Sequence, residues 1–263
     1  MNKIKDNWES GDPYEYFMGR WSKLLAPEFL NWLDLPSSSS WLEVGCGTGA
    51  LSEAIVQICE PSHLTCVDPS EKFLAKSKER LNNKGKFLIG DATEIPAEDD
   101  SIDIVVSGLA LNFFPDLETA LAEMKRISKP GGTIAAYVWD YAGRMDLLRY
   151  FWDAAISLDS SVLGLDEGVR FPICNQDKLK NAFQQAALSE VEVTKLDILT
   201  HFKNFDDYWN PFLGGQGPAP TYLESLTENQ QQELKKTIKD KLHFEPDGSI
   251  KLLGRAIAIK GKV

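Results

Sequence analysis

A glycine-rich segment is the part of the sequence with the clearest chemical potential. The segment Leu42-Glu43-Val44-Gly45-Cys46-Gly47-Thr48-Gly49 follows an apolar run and opens an amphipathic one. Glycines at a strand-to-helix turn let the backbone approach a ligand closely and point free N–H groups at it. Taken alone, the pattern fits either a tight turn without a ligand or a site for any nucleotide cofactor.

Three acidic residues narrow that choice. Asp68 lies 68 − 49 = 19 residues after Gly49, near the spacing at which an acid binds ribose hydroxyls in Rossmann-like sites. Asp91 follows the predicted third strand, where a carboxylate can accept from an exocyclic amine such as that of adenine. Glu43 would repel a pyrophosphate and favour a sulfonium cofactor that carries an ammonium group. We expect all three at the carboxyl ends of neighbouring parallel strands, the edge where open α/β sheets bind ligands.

Short apolar runs alternate with amphipathic helices from residue 41 onward, which predicts βαβ units, a parallel sheet and right-handed crossovers. In the N-terminal part, apolar residues at helical spacing from Trp21 to Leu33 predict a helix, with a second segment opening at Pro27. Predicted helices include 49–58, one capped by Ser70, one from about Asp116 to Pro130-Gly131-Gly132, and several over 143–188. Predicted strands are 41–44, 63–67, 86–89, 102–106, 133–139, 191–199 and 250–259.

Four segments together match a known family: LEVGCGTG, VDPS, GDATEIP and KPGG. Over residues 41–139 the chain resembles the class I S-adenosylmethionine-dependent methyltransferases, especially the methyltransferase type 11 group. The resemblance implies an α/β Rossmann-like seven-stranded sheet of order 3-2-1-4-5-7-6, with the last strand antiparallel and helices on both faces. We predict one methyltransferase domain over 1–263, with an N-terminal helical cap (1–36), a cofactor-binding core (41–139) and a helical lid insertion over the sheet edge (200–249).

The resemblance also implies S-adenosylmethionine as the cofactor and a set of residues that contact it. Asp68 would take the ribose hydroxyls, Asp91 would read the adenine edge, and Arg20 would pair with the cofactor carboxylate. The full implied set is Tyr16, Arg20, Glu43, Gly45, Cys46, Gly47, Asp68, Pro69, Ser70, Asp91, Ala92, Ser107, Gly108 and Leu109.

The methyl acceptor is less well defined by the sequence. Methyl transfer from a sulfonium is an in-line displacement, so a general base is needed only when the acceptor atom holds a proton. Close relatives often carry His where this chain has Asn112, so no catalytic residue is assigned, and Asn112 is either a substrate hydrogen-bonder or a loop residue. The predicted substrate-side residues are Asn112, Phe113, Trp139, Tyr141, Tyr208 and Trp209.

Charge and composition limit the partners. The 263 residues contain 28 Lys+Arg and 39 Asp+Glu, a net charge of −11, which disfavours a nucleic-acid partner. The turn Ser107-Gly108-Leu109-Ala110 also lacks the Pro-Pro-aromatic pattern of adenine and glutamine-amide methylation. No apolar run approaches the roughly 20 residues that span a bilayer. Scattered histidines and the absence of a CxxC pair predict no metal site.

Residues 1–12 are polar and predict no secretory signal. We therefore expect a cytoplasmic monomer or homodimer with a small-molecule methyl acceptor, and neither a nucleic-acid nor a membrane partner. The leading interpretation is a methyltransferase acting on a small apolar or aromatic molecule. The alternatives are a non-catalytic S-adenosylmethionine-binding module and a nicotinamide-dependent oxidoreductase, against which Glu43 and the glycine spacing argue.

Overall fold

The computed structural model describes residues 15–214 and 217–263, so the first fourteen residues of the predicted cap lie outside the described part.

A π-helical turn, Glu15–Gly19, precedes the first helix. The strands are β1 (Ser40–Val44), β2 (His63–Asp68), β3 (Lys86–Ile89), β4 (Ile102–Gly108), β5 (Ser128–Trp139), β6 (Ser189–Phe202) and β7 (Ile250–Lys262). The α-helices are α1 (Arg20–Leu33), α2 (Ala50–Ile58), α3 (Glu71–Arg80), α4 (Leu117–Ile127), α5 (Asp146–Leu158), α6 (Glu167–Arg170), α7 (Gln176–Gln185), α8 (Phe205–Trp209), α9 (Pro218–Ser225) and α10 (Glu228–Lys241). Three short 3₁₀ segments are Leu111–Phe113, Ser160–Leu165 and Asn210–Gly214.

The seven strands form one sheet of order β3-β2-β1-β4-β5-β7-β6, which confirms the predicted fold class. The first five strands are parallel, as the pairings Val44↔Val67 and Trp41↔Ile104 show. β7 pairs with β5 in the antiparallel sense, from Thr133↔Lys262 to Trp139↔Ala256. The carboxyl ends of β1, β2, β3 and β4 therefore meet at a single edge of the sheet.

Several predicted strand boundaries are wrong, since β6 covers Ser189–Phe202 instead of 191–199 and β7 continues to Lys262 instead of ending at Ile259. β4 continues to Gly108 instead of ending at Val106, because Ser107 and Gly108 still pair with β5. β5 begins at Ser128 instead of Thr133, so helix α4 ends before Pro130-Gly131-Gly132 and that turn lies within the extended segment. A register shift between Ile102 and Ile104 accommodates the turn, a local feature that apolar periodicity does not reveal.

The prediction that Pro27 opens a second helical segment is also wrong, because α1 runs through Pro27 without a break. A proline inside a helix removes one backbone hydrogen bond. Leu25, Ala26 and Phe29 on the same helix are all 0% exposed. Burial of this apolar face contributes more than the lost hydrogen bond costs, since one fully buried large side chain is worth about 1.5–3 kcal/mol.

The chain divides into two compact units. Unit 1 comprises the residues up to Trp21, Asp140–Pro172 and Asp197–Arg255, and unit 2 comprises Ser22–Trp139, Ile173–Leu196 and Ala256–Val263. Unit 2 contains β1 to β5 and has an aliphatic core along those strands, with Leu42, Val67 and Val105 fully buried. Among the described helices of both units, none has the length and apolar character that a bilayer crossing requires.

Unit 1 has an aromatic core, in which rings pack edge to face and stacked. Phe151 stacks on Phe212 with centroids 4.7 Å apart, and Phe17 meets Phe212 edge-on at 5.3 Å. The Tyr208 hydroxyl donates to the Leu147 carbonyl at 2.9 Å. Tyr208 and Trp209, predicted to face a substrate, are 0% and 3% exposed and belong to this core.

Unit 1 also contains two buried carboxyl groups side by side. Asp166 accepts two hydrogen bonds from the Arg149 guanidinium, at 3.1 and 2.6 Å. Glu167 accepts a hydrogen bond from the Trp152 indole N–H and is 4% exposed. Burial raises the pKa of Glu167 to about 7, helped by the neighbouring charge of Asp166 and opposed by that of Arg170. The carboxyl group is therefore close to half protonated at neutral pH.

We predict that Glu167→Gln flattens the dependence of stability on pH. Because folding raises the pKa of Glu167 from 4.5 to about 7, its contribution to stability is fully present below pH 4.5 and is lost as pH rises through 7. Between pH 5 and pH 8 the wild type should lose roughly 2 kcal/mol that the variant keeps. Urea unfolding at several pH values measures this difference.

The exposed Glu224 of the same unit provides the matched control as Glu224→Gln. That control should follow the wild-type pH profile. Equal pH dependence in the wild type and Glu167→Gln would show that the buried carboxyl group does not titrate as described.

Candidate cofactor site

The glycine-rich segment forms the turn between β1 and α2. Gly45, Gly47 and Gly49 have φ angles of 73°, 52° and 83°, in the left-handed region that favours glycine. The N–H groups of Gly45 and Cys46 both donate to the Val67 carbonyl, at 2.8 and 3.1 Å. The turn after β1 is therefore fastened to the end of β2.

Asp68 lies at the end of β2 and connects three backbone segments. Its carboxylate accepts from the Gly47 N–H at 2.9 Å and from the Ser70 N–H at 2.8 Å. The Ser70 hydroxyl in turn caps α3 by accepting from the Phe73 N–H at 3.3 Å, while Pro69 is exposed. Asp68 is 6% exposed, and burial raises its pKa against the opposing effect of the two N–H donors. The structure thus brings Gly47, Asp68, Pro69 and Ser70 together as the sequence predicts.

Glu43 occupies a different environment from the one expected. Its side chain is 1% exposed and accepts a hydrogen bond from the Ser52 hydroxyl on α2. Burial raises the pKa of Glu43 well above its usual range, and the charges of Cys66 and Asp68 add to this effect. The Glu43 carboxyl group therefore holds its proton more readily than an exposed glutamate, and its expected contact with the cofactor stays a prediction.

Ser52 is a site residue that the sequence reasoning missed. It lies on α2, nine residues after Glu43, and is 0% exposed. A serine on the inward face of a helix that begins at a glycine turn is a signal that could have drawn attention to it. The sequence does not identify Glu43 as the partner of Ser52, because packing of α2 on the sheet brings the two residues together.

Asp91 lies in an exposed turn. β3 ends at Ile89, the predicted end of the third strand, and Asp91 follows the strand by two residues. Its carboxylate accepts from the Thr93 N–H and hydroxyl at 2.8 and 2.6 Å, and these bonds lower its pKa. The adjacent Ala92 is 6% exposed. Asp91 is therefore charged at neutral pH and accessible at the same sheet edge as Asp68.

The end of β4 and the segment that follows it contain buried polar groups without hydrogen-bond partners among the described residues. Ser107 is 0% exposed, and its hydroxyl has no hydrogen-bond partner among the described residues. The same holds for both polar atoms of the Asn112 amide, within the described chain. Leu109 adopts a φ of 59° and its N–H donates to the Tyr137 carbonyl at 2.8 Å, while the Phe113 ring is 43% exposed.

The remaining predicted aromatic residues differ in exposure. Trp139, at the end of β5 in unit 2, is 2% exposed. In unit 1, Tyr141 is 7% exposed and Tyr16 is 49% exposed. Among the described residues, no disulfide joins any of the four cysteines. Over residues 15–214 and 217–263, no group of three or more His, Cys, Asp or Glu side chains is arranged to hold a metal ion.

Arg20 in unit 1 already has a counter-ion. Its Nη1 atom lies 2.8 Å from Asp207 Oδ1, and its guanidinium stacks 4.1 Å from the Trp21 ring and 4.8 Å from the Phe202 ring. Its Nη2 atom is buried without a hydrogen-bond partner in the described residues. The predicted pairing with a cofactor carboxylate would therefore use Nη2 beside an existing ion pair.

The sheet order, the glycine turn and the acids at the carboxyl edge together define the class I Rossmann-like methyltransferase architecture. Residues 42–136 match the family described as "Methyltransferase domain". The chain therefore contains a methyltransferase domain over residues 42–136, in a sheet with the strand order of the class I S-adenosylmethionine-dependent methyltransferases.

Similar proteins share this part of the chain. Demethylmenaquinone methyltransferase of Staphylococcus aureus is 41% identical over 96 residues, which are 35% of this chain and 40% of that protein. The biotin biosynthesis bifunctional protein BioCD of Bordetella avium is 34% identical over 103 residues, 39% of this chain and 22% of that protein. The chain therefore spans less than half the length of these two curated relatives. The YcgJ protein from Bacillus subtilis has the same fold, with a TM-score of 0.58 and 19% identity over 92% of this chain and 98% of that one.

We predict that Gly45→Ala lowers the free energy of unfolding by about 3 kcal/mol. A Cβ atom there would lie 2.6 Å from the Ala110 Cβ and would hold an L-residue at a φ of 73°. The left-handed backbone costs roughly 1–2 kcal/mol and the steric overlap about 1–3 kcal/mol. Urea unfolding provides the measurement.

Gly131→Ala is the matched control, because its φ is 77° but its Cβ would meet no described atom within 4 Å. It should cost only about 1 kcal/mol. Adding Ala110→Gly to Gly45→Ala should recover at least about 1 kcal/mol, a coupling that a double-mutant cycle isolates. Equal costs at both glycines, with no recovery, would contradict the close approach of the two segments.

Proposed function

We propose that the protein transfers the methyl group of S-adenosylmethionine to a small-molecule acceptor. The observation that carries this proposal is the Asp68 carboxylate, held by the Gly47 and Ser70 N–H groups at the end of β2. A carboxylate has about four lone-pair sites, so two N–H donors leave capacity for two ribose hydroxyls. The match of residues 42–136 to the methyltransferase domain supports S-adenosylmethionine as the nucleoside bound there.

With the ribose proposed at Asp68, the neighbouring residues of the sheet edge are proposed to contact the other parts of the cofactor. Asp91 is exposed and charged, which suits an acceptor for the adenine amine. The orphaned Ser107 hydroxyl and the turned backbone at Leu109 suit the amino-acid end of the cofactor. The nicotinamide-dependent alternative receives no support from the family match.

The cofactor supplies an electrophilic methyl group on a sulfonium, so this chain has to bind, orient and exclude water. Residues 107–114 contain no titratable side chain. We propose that the acceptor atom is already nucleophilic at neutral pH, and that the Asn112 amide orients it. Asn112 supports this role because its donor and its acceptor both lack partners in the described residues.

The acceptor is proposed to be apolar or aromatic. Phe113, next to Asn112, presents a ring that is 43% exposed at the end of β4. The net charge of −11 favours an uncharged or cationic small molecule over a polyanion.

We predict that Asp68→Asn weakens binding of S-adenosylhomocysteine by about 10- to 100-fold, because hydrogen bonds to a charged group contribute about 1.5–3 kcal/mol. Asn keeps the shape of the side chain and one acceptor oxygen. Isothermal titration calorimetry measures the affinity, with circular dichroism to verify folding.

Asp103→Asn is the matched control. Asp103 also accepts a backbone N–H, that of Ser40 at 2.8 Å, but lies at the start of β4, away from the carboxyl edge. It should change the affinity by less than about twofold. Unchanged affinity in a folded Asp68→Asn protein would refute the assignment of this carboxylate to the cofactor.

The acceptor class can be tested with methyl-labelled S-adenosylmethionine and a fractionated cell extract. We predict label in the organic-extractable fraction of low molecular mass, and none with Asp68→Asn. Label in protein or nucleic acid would contradict the small-molecule acceptor. Tight cofactor binding without transfer to any fraction would favour the non-catalytic binding module.

A further inference from the structure

The short helix α6 of unit 1 begins with two buried carboxyl groups that differ in their partners. Asp166 caps the helix and Glu167 is its first residue, and each is 4% exposed. The Arg149 guanidinium on α5 donates to both oxygens of Asp166, at 3.1 and 2.6 Å. Glu167 accepts from the indole N–H of Trp152, also on α5, and forms no ion pair among the described residues. Asp166 therefore has a cationic partner, whereas Glu167 has a neutral one.

The groups around Glu167 do not neutralise a negative charge there. Burial raises the pKa of Glu167 to about 7, the charge of Asp166 acts in the same direction, and that of Arg170 opposes both only in part. A deprotonated Glu167 is thus a buried charge without a paired cation, which is costly in a protein interior. The other charged and titratable side chains of the surrounding elements are Asp159 before α6, Tyr141, Arg149 and Asp153 on or before α5, and Tyr222 on α9.

Helix α6 is packed closely but held by few bonds of its own. A Cβ atom at Gly168 would lie 2.9 Å from the Ala142 Cα, so the two backbones are in contact. The four-residue helix is closed by backbone hydrogen bonds from the N–H groups of Val169, Arg170 and Phe171, each at 2.9 Å. The Val169 side chain is 52% exposed and anchors the helix little. A segment of this kind can open locally while the rest of the unit stays folded.

We propose that α6 is a pH-operated flap of unit 1, closed on α5 while Glu167 is protonated and open once Glu167 has lost its proton. Asp166 remains on Arg149 and acts as the hinge, because its two hydrogen bonds do not involve Glu167. In the open state the Glu167 carboxylate reaches water, and the Trp152 indole loses its acceptor. The flap is independent of the methyl transfer proposed above.

The direction of the pH effect follows from the state that holds the proton more tightly. In the closed state the pKa of Glu167 is raised from 4.5 to about 7, whereas an exposed glutamate titrates near its ordinary value. Below pH 4.5 the carboxyl group is protonated in both states, so closure is favoured to its full extent. Between pH 4.5 and pH 7 only the open state gains the charge. Closure therefore weakens as pH rises through 7 and changes no further above it.

Hydrogen exchange followed by mass spectrometry measures the opening of α6. We expect the protection factors of the Val169, Arg170 and Phe171 amides to fall by at least about tenfold between pH 5.5 and pH 8 in the wild type. Glu167→Gln keeps an oxygen acceptor and has no charge, so it should retain the same protection at both pH values. Helix α10 of the same unit should stay protected throughout, which separates the opening of α6 from unfolding of the unit.

Asp153→Asn is the matched control, because it removes a carboxyl group of α5 that lies 3.6 Å from Arg149 but is 65% exposed. This variant should keep the pH dependence of the wild type. Equal pH dependence in the wild type and Glu167→Gln would overturn the proposal, and so would a parallel loss of protection in α10. If Glu167→Gln does not fold, the wild type alone decides. A fall that levels off above pH 7 would support the flap, and constant protection from pH 5.5 to pH 8 would overturn it.

Discussion

The Asp68 carboxylate joins the glycine turn after β1 to the beginning of α3 through the N–H groups of Gly47 and Ser70. Burial disfavours the charged form of Asp68, and the two N–H groups stabilise that form. The charged carboxylate is therefore stable only while both backbone segments keep these hydrogen bonds. The geometry of the turn, the cap of α3 and the position of the acid therefore depend on one another. An exposed carboxylate would be mobile, whereas the two hydrogen bonds fix the orientation of the Asp68 side chain. A ligand that binds to this carboxylate would therefore lose less entropy in ordering it.

A second layer of polar groups lies beneath the turn. The Ser52 hydroxyl donates to the Glu43 carboxyl group on β1 and lies 3.2 Å from the Cys66 sulfur on β2. All three side chains are buried, where polar contacts are strong and an unpartnered group is costly. These contacts hold α2 against β1 and β2, whereas Asp91 and Phe113 at the same edge remain exposed.

Much of the fold can be predicted from the sequence because it is encoded locally. The alternation of apolar runs and helices, the glycine turn and the caps at Ser70 and Asp116 are each local signals, and the observed sheet order agrees with them. The predicted boundaries were wrong where contacts between residues far apart in the sequence determine the ends of a helix or strand. Packing of Leu25 and Phe29 carries α1 through Pro27, and pairing with β4 extends β5 back to Ser128. Neither the packing of α1 nor the pairing of β5 with β4 can be read from local helix or strand propensity.

The same reasoning applies to the site. Glycine spacing and the sequence distance to Asp68 predict the turn that we propose for the cofactor, because both are set by the strand–turn–helix unit. The sequence does not reveal the hydrogen bond from Ser52 to Glu43 or the ion pair between Arg20 and Asp207. Nor does it reveal that the Tyr208 hydroxyl donates to the Leu147 carbonyl. In each case the partner is brought in by tertiary packing, and the side chain that looked available for a ligand already has a hydrogen bond.

The most direct measurement combines a change in the ligand with a change in the protein. Affinities of S-adenosylhomocysteine and its 2′,3′-dideoxyribose analogue would be determined by calorimetry for the wild type and for Asp68→Asn. If Asp68 holds the ribose hydroxyls, removing them should weaken binding to the wild type by at least about tenfold and have little further effect in the variant. Equal losses in both proteins would show that Asp68 only stabilises the turn and does not contact the ribose.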